Sequence, residues 1–140
     1  MSTHLAAAIQ MATSNDKAAN LEKAEHLIRL AAARGAKLVG LPEVFNWRGK
    51  RSDEAEAAEG LDGATLTLMG RLARELEIHL LAGSITEHAP GEEKRYNTSV
   101  LLGPDGKQLA STARSICSTS TCPDASRSGN QMGRSRAVRS

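Results

Sequence analysis

Two short apolar runs, separated by one amphipathic stretch, constrain the fold of this chain more than any other feature. Residues 5–11 and 37–41 are each apolar and each bounded by turn-forming residues, so we expect two buried strands. Between them, apolar residues recur every three or four positions from Lys17 up to Gly35, which predicts an amphipathic helix. A strand, a helix and a second strand in this order form a parallel pair with a right-handed crossover. The chain is therefore predicted to have an α/β fold.

The following segment adds a second helix and more strands. A second helix with apolar residues on one face is predicted after Gly63, and residues 78–86 form a third apolar run. In residues 95–102 apolar and polar side chains alternate, which is typical of a strand with one buried face. A Gly-Pro-Asp-Gly turn at 103–106 joins this strand to a return strand at 107–110, so we expect a hairpin.

The composition fits one ordinary domain and excludes several classes of protein. The 140 residues suffice for one core, which must be aliphatic because the chain has one Phe, one Trp and one Tyr. So few aromatic residues leave no stacking platform for nucleic acid. No segment is long and apolar enough to be a membrane span or the central region of a signal peptide. We therefore expect a soluble, cytoplasmic protein that binds neither nucleic acid nor membrane.

Residues 111–140 differ sharply in composition from the rest of the chain. They contain 11 Ser or Thr, and they contain no Lys, Leu or aromatic residue. They carry 5 Arg against 1 Asp, whereas residues 1–110 carry 13 Lys and Arg against 15 Asp and Glu, so the positive net charge belongs to the tail alone. Low hydrophobicity without periodicity predicts one domain over residues 1–111 and a disordered basic tail over residues 112–140.

Glu43 is the first candidate for chemistry. It follows the apolar strand at 37–41 through a single proline, so it lies at the carboxyl end of a strand, where ligands bind in open α/β sheets. Phe45 and Trp47 are close enough in sequence to line a pocket around it, and the polar residues 46–60 are predicted to form a surface loop with one short helical turn. A carboxylate walled by apolar side chains would be partly desolvated, which suits a general base. The alternative for any single Glu is a solvated surface carboxylate.

The other reactive side chains give weaker patterns. Cys117 and Cys122 form an isolated C-x4-C pair in the tail, without the partner ligands of a metal site. His79 and His88 have no metal-ligand spacing, and we interpret them as an ordinary strand residue and a solvated loop residue. We therefore predict no metal and no organic cofactor. A nucleotide-binding α/β domain is disfavoured, because no Gly-rich phosphate loop follows the first strand.

Six short segments, taken in order, resemble the carbon-nitrogen hydrolase or nitrilase superfamily. Each is weak alone, but their order and spacing are specific over residues 5–111, which correspond to the amino-terminal half of a family domain. The region around Glu43 is most similar to the branch that acts on small amides of dicarboxylates or on deaminated glutathione. The segments are Ala8-Ile9-Gln10-Met11, Asn20-Leu21, Ala32 through Gly35-Ala36, Leu41-Pro42-Glu43, Gly83-Ser84-Ile85 with Glu87, and Tyr96-Asn97-Thr98.

This resemblance implies a fold and a mechanism. Family members are four-layer αββα sandwiches, so the chain would be the amino-terminal half of such a sandwich followed by a tail. They hydrolyse small amides or nitriles with a Glu, a Lys and a Cys, and Glu43 matches the Glu that acts as general base. The resemblance further implies that the intact family member is a homo-oligomer and works without a cofactor.

The lysine implied by the resemblance is missing. In the family it follows the hairpin in a motif close to Tyr-Arg-Lys-Ile-His-Leu-Phe-Asp, whereas this chain reads Thr-Ala-Arg-Ser-Ile-Cys-Ser-Thr from residue 112. Allowed codons for residues 112–123, moved back by one nucleotide, can be translated as Tyr-Arg-Lys-Ile-His-Leu-Phe-Asp-Val-Asp-Val-Pro. Each shifted residue fixes two of three nucleotides, so chance rarely satisfies the whole motif. We hypothesise that the tail is a family gene read in the wrong frame.

Two functions stay open for the chain as written. The first is a truncated hydrolase that retains the Glu of the triad, lacks the Lys and the Cys, and is inactive. The second is a truncated, non-enzymatic interaction protein that binds partners through its sheet or helix surfaces and uses the basic tail as a tether. In either case the missing half would leave apolar sheet surface and an open edge exposed, which predicts poor solubility or partial unfolding.

Overall fold

A computed structural model describes residues 4–88, 91 and 94–116 and confirms a mixed α/β fold. One six-stranded sheet and three helices make up this part of the chain. The strands are β1 (Leu5–Ala8), β2 (Ala36–Gly40), β3 (His79–Leu81), β4 (Ile85–His88), β5 (Arg95–Leu102) and β6 (Gln108–Ile116). The helices are α1 (Lys17–Ala33), α2 (Glu54–Ala57) and α3 (Ala64–Leu76), and a 3₁₀ turn covers Arg51–Asp53.

The first two strands are parallel, as the strand-helix-strand pattern predicts, and the third strand also runs parallel to them. β2 lies between β1 and β3 and runs parallel to both. The other half of the sheet is antiparallel, because β5 pairs with β3 and β4 along one edge and with β6 along the other. β2, β3 and β6 therefore run in one direction and β5 runs in the opposite direction.

Local sequence features determine both ends of α1. Asp16 caps the helix, and its Oδ1 accepts a hydrogen bond from the Ala19 backbone N–H at 3.0 Å. Gly35 follows the helix with a φ of 91°, a conformation that glycine adopts without steric cost. Ala24 and Ile28 are buried one turn apart on the inner face, so the helix predicted from the periodicity is confirmed.

The third predicted strand, at residues 78–86, is interrupted. Gly83 has a φ of 37° and separates β3 from β4. The carbonyl oxygen of Pro42 packs against this glycine so closely that a Cβ built on Gly83 would lie 2.0 Å from it. The apolar run does not indicate this break, because the contact comes from a residue far away in the sequence.

The sheet has one covered face and one open face. On the covered face, α1 and α3 pack against a core in which Val39, Leu80 and Leu102 are adjacent across three strands and buried. Leu38 and Leu81, one position along from two of these residues, lie on the open face and stay exposed. Because successive side chains of a strand point to opposite faces, the strand register assigns the other residues to a face in the same way.

The last strand is longer than the sequence pattern predicts. β6 runs through Ile116 and pairs with β5, so residues 112–116 continue the sheet beyond the expected domain boundary. Backbone hydrogen bonds hold this pairing whatever the side chains are, and the β-branched Thr112 and Ile116 suit a strand. The rest of the predicted basic tail, with Cys117 and Cys122, lies outside the described residues. No helix among the described residues is long and apolar enough to cross a membrane.

Candidate active site

Glu43 lies where the strand pattern predicts it, at the carboxyl end of a parallel strand. β2 ends at Gly40, and the Leu41 backbone N–H donates to the Leu81 carbonyl oxygen at 2.9 Å before Pro42 ends the pairing. The Glu43 side chain contacts β5 and β6 on the open face of the sheet. The candidate residue is thus accessible from the face that the helices leave uncovered.

A pocket of about 690 Å³ opens on this face in front of Glu43. A volume of this size suits a small molecule. Besides Glu43, its lining includes two leucines and five residues with hydroxyl or amide groups: Leu41, Leu81, Ser84, Asn97, Ser99, Thr112 and Ser115.

Two side chains from the β5–β6 hairpin contact the Glu43 carboxylate. Asn97 Nδ2 donates a hydrogen bond to Glu43 Oε1 at 2.7 Å. Arg114 Nη2 lies 3.7 Å from the same oxygen, close enough for an ion pair but too far for a hydrogen bond. The side chains are 67% exposed for Glu43 and 80% exposed for Arg114, so the ion pair contributes little to stability.

The backbone next to Glu43 is strained and clamped. Val44 has a φ of 51°, which is a genuine outlier for a β-branched residue. Its backbone N–H donates to Ser84 Oγ at 3.0 Å, while the Pro42 carbonyl contacts Gly83. Strain of this kind persists only where surrounding contacts enforce it, and it concentrates at functional sites. The turn that carries Glu43 is therefore held in place by the break between β3 and β4.

A polar cluster around Glu59 anchors the loop that follows this turn. Glu59 Oε1 accepts hydrogen bonds from Lys17 Nζ at 2.7 Å, Thr65 Oγ1 at 2.6 Å and Asn46 Nδ2 at 3.3 Å, and the side chain is only 11% exposed. Burial by itself would raise the pKa of this carboxyl, but the hydrogen bonds from Lys17 and Thr65 together outweigh it and lower the pKa below 4.5. Glu59 is therefore an ionised, well-partnered carboxylate with a structural role.

The two aromatic residues predicted to line the pocket do not belong to its described lining. Phe45 is fully buried in the core, and Trp47 packs beside Gly49 in the loop. The left-handed backbone at Val44 breaks the strand-like alternation, so Phe45 enters the core while Glu43 stays on the open face. Glu43 is consequently solvated rather than walled by apolar side chains, which corrects the environment predicted for it.

The histidines considered as ligands do not join the pocket. His79 is an exposed residue of β3, and His88 is an exposed residue at the end of β4. No group of three or more His, Cys, Asp or Glu within residues 4–88, 91 and 94–116 is placed to hold a metal ion. The described lining contains neither a lysine nor a cysteine. It therefore offers an acceptor carboxylate and a donor guanidinium, without a thiol to act as nucleophile.

Sequence patterns do not single out three of the residues that form this site. Asn97 occupies a polar position of the alternating strand, and Ser84 belongs to a segment that carries the family resemblance. These patterns could have identified both as candidate site residues. Arg114 lies in the segment that we interpret as misread, and the only sequence signal for its position is the lysine that the shifted frame gives there. Its place beside Glu43 follows only from the unexpected length of β6.

Comparisons with known sequences identify one family. The sequence model described as carbon-nitrogen hydrolase matches residues 5–124. A deaminated glutathione amidase of Synechocystis sp. is 40% identical over 111 residues, which are 79% of this chain and 41% of that protein. The omega-amidase NIT2 of Homo sapiens is 40% identical over 110 residues, which are 79% of this chain and 39% of that protein. The chain thus spans about two fifths of the length of these curated relatives.

A solved structure shows the same arrangement of helices and strands. Nit3 of Saccharomyces cerevisiae, a member of branch 10 of the nitrilase superfamily, matches with a TM-score of 0.67 and 30% sequence identity. The match covers 73% of this chain and 40% of that chain. The nitrilase-like fold implied by the resemblance is therefore confirmed for the part of the chain that the two share.

Proposed function

Because the chain belongs to the carbon-nitrogen hydrolase family, we propose that it derives from an amidase that hydrolyses a small amide or nitrile through a Glu-Lys-Cys triad. Glu43 is the general base of that triad. The names of the two amidases above support small amides as the substrate class. As written, the chain supplies only the Glu of the triad, so we propose that it is truncated and inactive.

The observation that carries this proposal is the position of Glu43. It is the only carboxylate in the described lining of the pocket, and it lies at the carboxyl end of a parallel strand. A strained turn holds it there, and Asn97 binds one of its oxygens. Backbone strain at Val44 holds this carboxylate in place, and the carboxylate faces an open pocket. Strain of this kind is typical of functional sites, so the position suits a general base that acts on a bound substrate.

The register of β6 supports the frameshift hypothesis. Reading the tail one nucleotide back puts the lysine of the implied motif at position 114. This position pairs with Asn97, and its present arginine reaches within 3.7 Å of Glu43. A lysine there would stand beside the base, where the proposed triad needs a cation to stabilise an oxyanion. The family match runs through residue 124, so residues 112–124 have a place in the family alignment. The hypothesis changes only the reading frame of their codons.

The coding DNA across Ser111 provides the first test. Its codons must permit the Tyr-Arg-Lys motif one nucleotide back, and that frame must continue to a segment that contains a cysteine. Codons that cannot yield the motif would rule out the frameshift. So would a frame that ends without such a segment.

Enzyme activity provides the second test. The frame-restored chain is expected to hydrolyse a monoamide of a small dicarboxylate, and Glu43→Gln should lower its kcat by about 10⁴-fold. The 140-residue chain should show no turnover above buffer. Turnover by the 140-residue chain that survives Glu43→Gln would place the chemistry at another site.

The open sheet face favours a second candidate, a non-enzymatic interaction protein. Leu38 and Leu81 are exposed there without being covered by any described helix. A partner that covers both leucines, together with an absence of amide turnover in the frame-restored chain, would support this candidate over the hydrolase. Real turnover in that chain would support the hydrolase.

A further inference from the structure

A groove along the outer edge of β1, which we call the β1–α1 groove, lies apart from the Glu43 pocket. It encloses about 320 Å³ and shares no residue with the described lining of that pocket. Residues 5–10 form its floor, and Leu27, Leu30 and Ala31 of α1 form its wall. A volume of this size accommodates a few side chains of a ligand.

The strand on the floor of this groove is an open sheet edge. Among the described strands, β1 pairs with β2 only. The Ile9 backbone N–H donates to the Gly40 carbonyl oxygen at 2.8 Å, so the backbone groups of Ala8, one position earlier, point away from β2. β1 contains no charged residue and no proline, which are residues that commonly block such an edge. A further strand can therefore pair with β1.

The wall of the groove suits the side chains of an added strand. Leu27 and Leu30 lie three residues apart in α1 and therefore on one face of the helix. Leu30 is 39% exposed and Leu27 is only partly buried, so both have apolar surface to cover. Because side chains of a strand alternate between its two faces, every second side chain of an added strand would contact these leucines.

One cation lies at the end of the groove where β1 begins. Arg34 is the only charged residue in the described lining, and its guanidinium has no hydrogen bond or ion pair within the described residues. It directly follows α1, and Ala36 pairs with Leu5, so Arg34 is close to the start of β1. The last carbonyl groups of α1 accept from the backbone N–H groups of Arg34 and Gly35, so the full charge of the guanidinium outweighs the partial charge of the helix end.

This charge determines the direction of the added strand. A strand that runs antiparallel to β1 ends beside Arg34, where a terminal carboxylate can accept a charge-assisted hydrogen bond from the guanidinium. A strand that runs parallel to β1 would bring its amino-terminal end to the same place, and an ammonium group there would be repelled. An apolar segment with a free carboxyl terminus therefore complements both the wall and the charge of the groove.

A second copy of β1 fits the groove less well. Two copies paired antiparallel about a two-fold axis would each bring the start of one β1 to the end of the other. Near that end, Lys23 Nζ donates to the Ala12 carbonyl oxygen at 3.3 Å. The Arg34 of each copy would then approach the Lys23 of the other, and like charges across an interface disfavour the pairing.

We propose that the β1–α1 groove docks the apolar carboxyl-terminal segment of a partner protein as an additional, antiparallel strand of the sheet. Backbone hydrogen bonds to the free edge of β1 provide affinity, Leu27 and Leu30 contact alternate side chains, and Arg34 binds the terminal carboxylate. The inference does not depend on the proposed hydrolase function, because the groove and the Glu43 pocket share no described residue. It also uses no residue of the segment that we interpret as misread.

Fluorescence anisotropy of a labelled pentapeptide tests the inference on the 140-residue chain. The peptide Gly-Thr-Val-Thr-Val carries fluorescein at its amino terminus and has a free carboxyl terminus, and the control peptide is identical except that this terminus is amidated. The amidated peptide should bind about fivefold more weakly, because it lacks the charge that Arg34 binds. With the ¹⁵N-labelled chain, the free-acid peptide should shift the backbone resonances of Ala8 and Leu30 but not that of Glu43.

Two substitutions separate the contribution of the charge from that of the strand edge. Arg34→Gln should weaken binding of the free-acid peptide about fivefold and leave the amidated peptide unaffected. Arg71→Gln on α3 removes the same charge elsewhere and should change neither affinity. Ala8→Pro removes a backbone N–H that faces the free edge, so it should weaken binding of both peptides by at least about fivefold. Ala8→Val keeps this N–H and is the matched control, which should bind both peptides as the unchanged chain does.

Four results would overturn the inference. The first is that neither peptide binds, and the second is that both bind the unchanged chain with equal affinity, which would exclude recognition of the carboxylate. The third is full binding by the Ala8→Pro variant, which would exclude strand addition. The fourth is a set of β1 resonances that shift with the concentration of the chain alone, which would identify a second copy as the occupant. A well-dispersed spectrum of each variant shows that it is folded, so lost binding then reports on recognition.

Discussion

Glu43 owes its position to a few backbone atoms rather than to its own contacts. Val44 adopts a left-handed backbone that costs a β-branched residue free energy, and Ser84 and Gly83 provide the contacts that enforce it. Gly83 is the residue that no side chain can replace, because the Pro42 carbonyl occupies the space of its Cβ. The clamp is therefore testable by adding a single methyl group.

Gly83→Ala should lower the free energy of unfolding by about 2–4 kcal/mol, because the new Cβ meets the Pro42 carbonyl oxygen and alanine disfavours a positive φ. Urea denaturation measures the change. Gly40→Ala is the matched control, since a Cβ there meets nothing within 4 Å, and it should change the free energy by less than about 1 kcal/mol. Equal losses in the two variants would show that Gly83 does not clamp the turn.

The Glu59 cluster predicts a dependence of stability on pH. Burial raises the pKa of Glu59, but the hydrogen bonds from Lys17 and Thr65 outweigh it, so the folded pKa lies below 4.5. A carboxyl with a lowered folded pKa stabilises the fold above its unfolded pKa, and the contribution is lost as the pH falls through the folded pKa. Glu59→Gln should therefore cost about 1–3 kcal/mol at neutral pH, and its deficit relative to the unchanged chain should shrink at acid pH.

Urea unfolding of the unchanged chain and of Glu59→Gln, at pH 7 and below pH 4.5, measures this difference. The exposed Glu56 provides the control, because Glu56→Gln should show no comparable deficit at either pH. A deficit of Glu59→Gln that is the same at both pH values would mean that the charge of Glu59 does not contribute.

Single residues also show where sequence patterns stop being informative. Glu43 could be predicted because a strand that ends at a proline is a local pattern. The burial of Phe45 could not, because it depends on the φ of Val44, which the distant Gly83 and Ser84 enforce. Arg114 could not either, because side-chain composition does not reveal a strand that backbone pairing extends.

Among the strands, β6 departs most from its prediction. Apolar periodicity ends near residue 110, yet β6 continues because β5 presents unpaired backbone groups along the next residues. Five residue pairs, from Arg95 with Ile116 to Ser99 with Thr112, lie beyond the boundary that the periodicity predicts. Element types were therefore predictable from local patterns, whereas this element's end depended on its partner strand.

Truncation tests the contribution of this extension. A chain that ends at Ser111 should lose about 1–5 kcal/mol of unfolding free energy, at roughly 0.2–1 kcal/mol for each of the five lost pairs. A chain that ends at Ile116 keeps all five pairs, so it should be more stable than the chain that ends at Ser111 by this amount. Urea denaturation of the three chains decides, and equal stability of the two truncated chains would show that the extension of β6 contributes nothing.

The described residues form one sheet with helices on a single face. Apolar runs in parallel strands are typical of sheets covered on both faces, so the sequence pattern of β2 predicts more cover than the described residues provide. Val39 is buried under the helices, while Leu38, its neighbour, is 44% exposed. The two curated relatives are about twice as long as this chain, which agrees with the proposal that a covering part is missing.

This uncovered face leads us to expect self-association. Each Å² of apolar surface removed from water contributes about 25 cal/mol, so two open faces gain free energy by meeting. Sedimentation velocity of the 140-residue chain should therefore show species larger than a monomer that increase with concentration. Leu38→Glu places a charge on the open face and should shift the distribution toward the monomer.

Leu61→Glu is the control for that experiment. Leu61 is 37% exposed, close to the exposure of Leu38, but it lies in the loop before α3 and not on the sheet. If association falls equally in both variants, the added negative charge controls association, whether or not it lies on the open face. A strictly monomeric unchanged chain with a sharp cooperative melt would show that the folded chain is stable with this face exposed to water. The proposal that a covering part is missing would then depend on the length of the relatives alone.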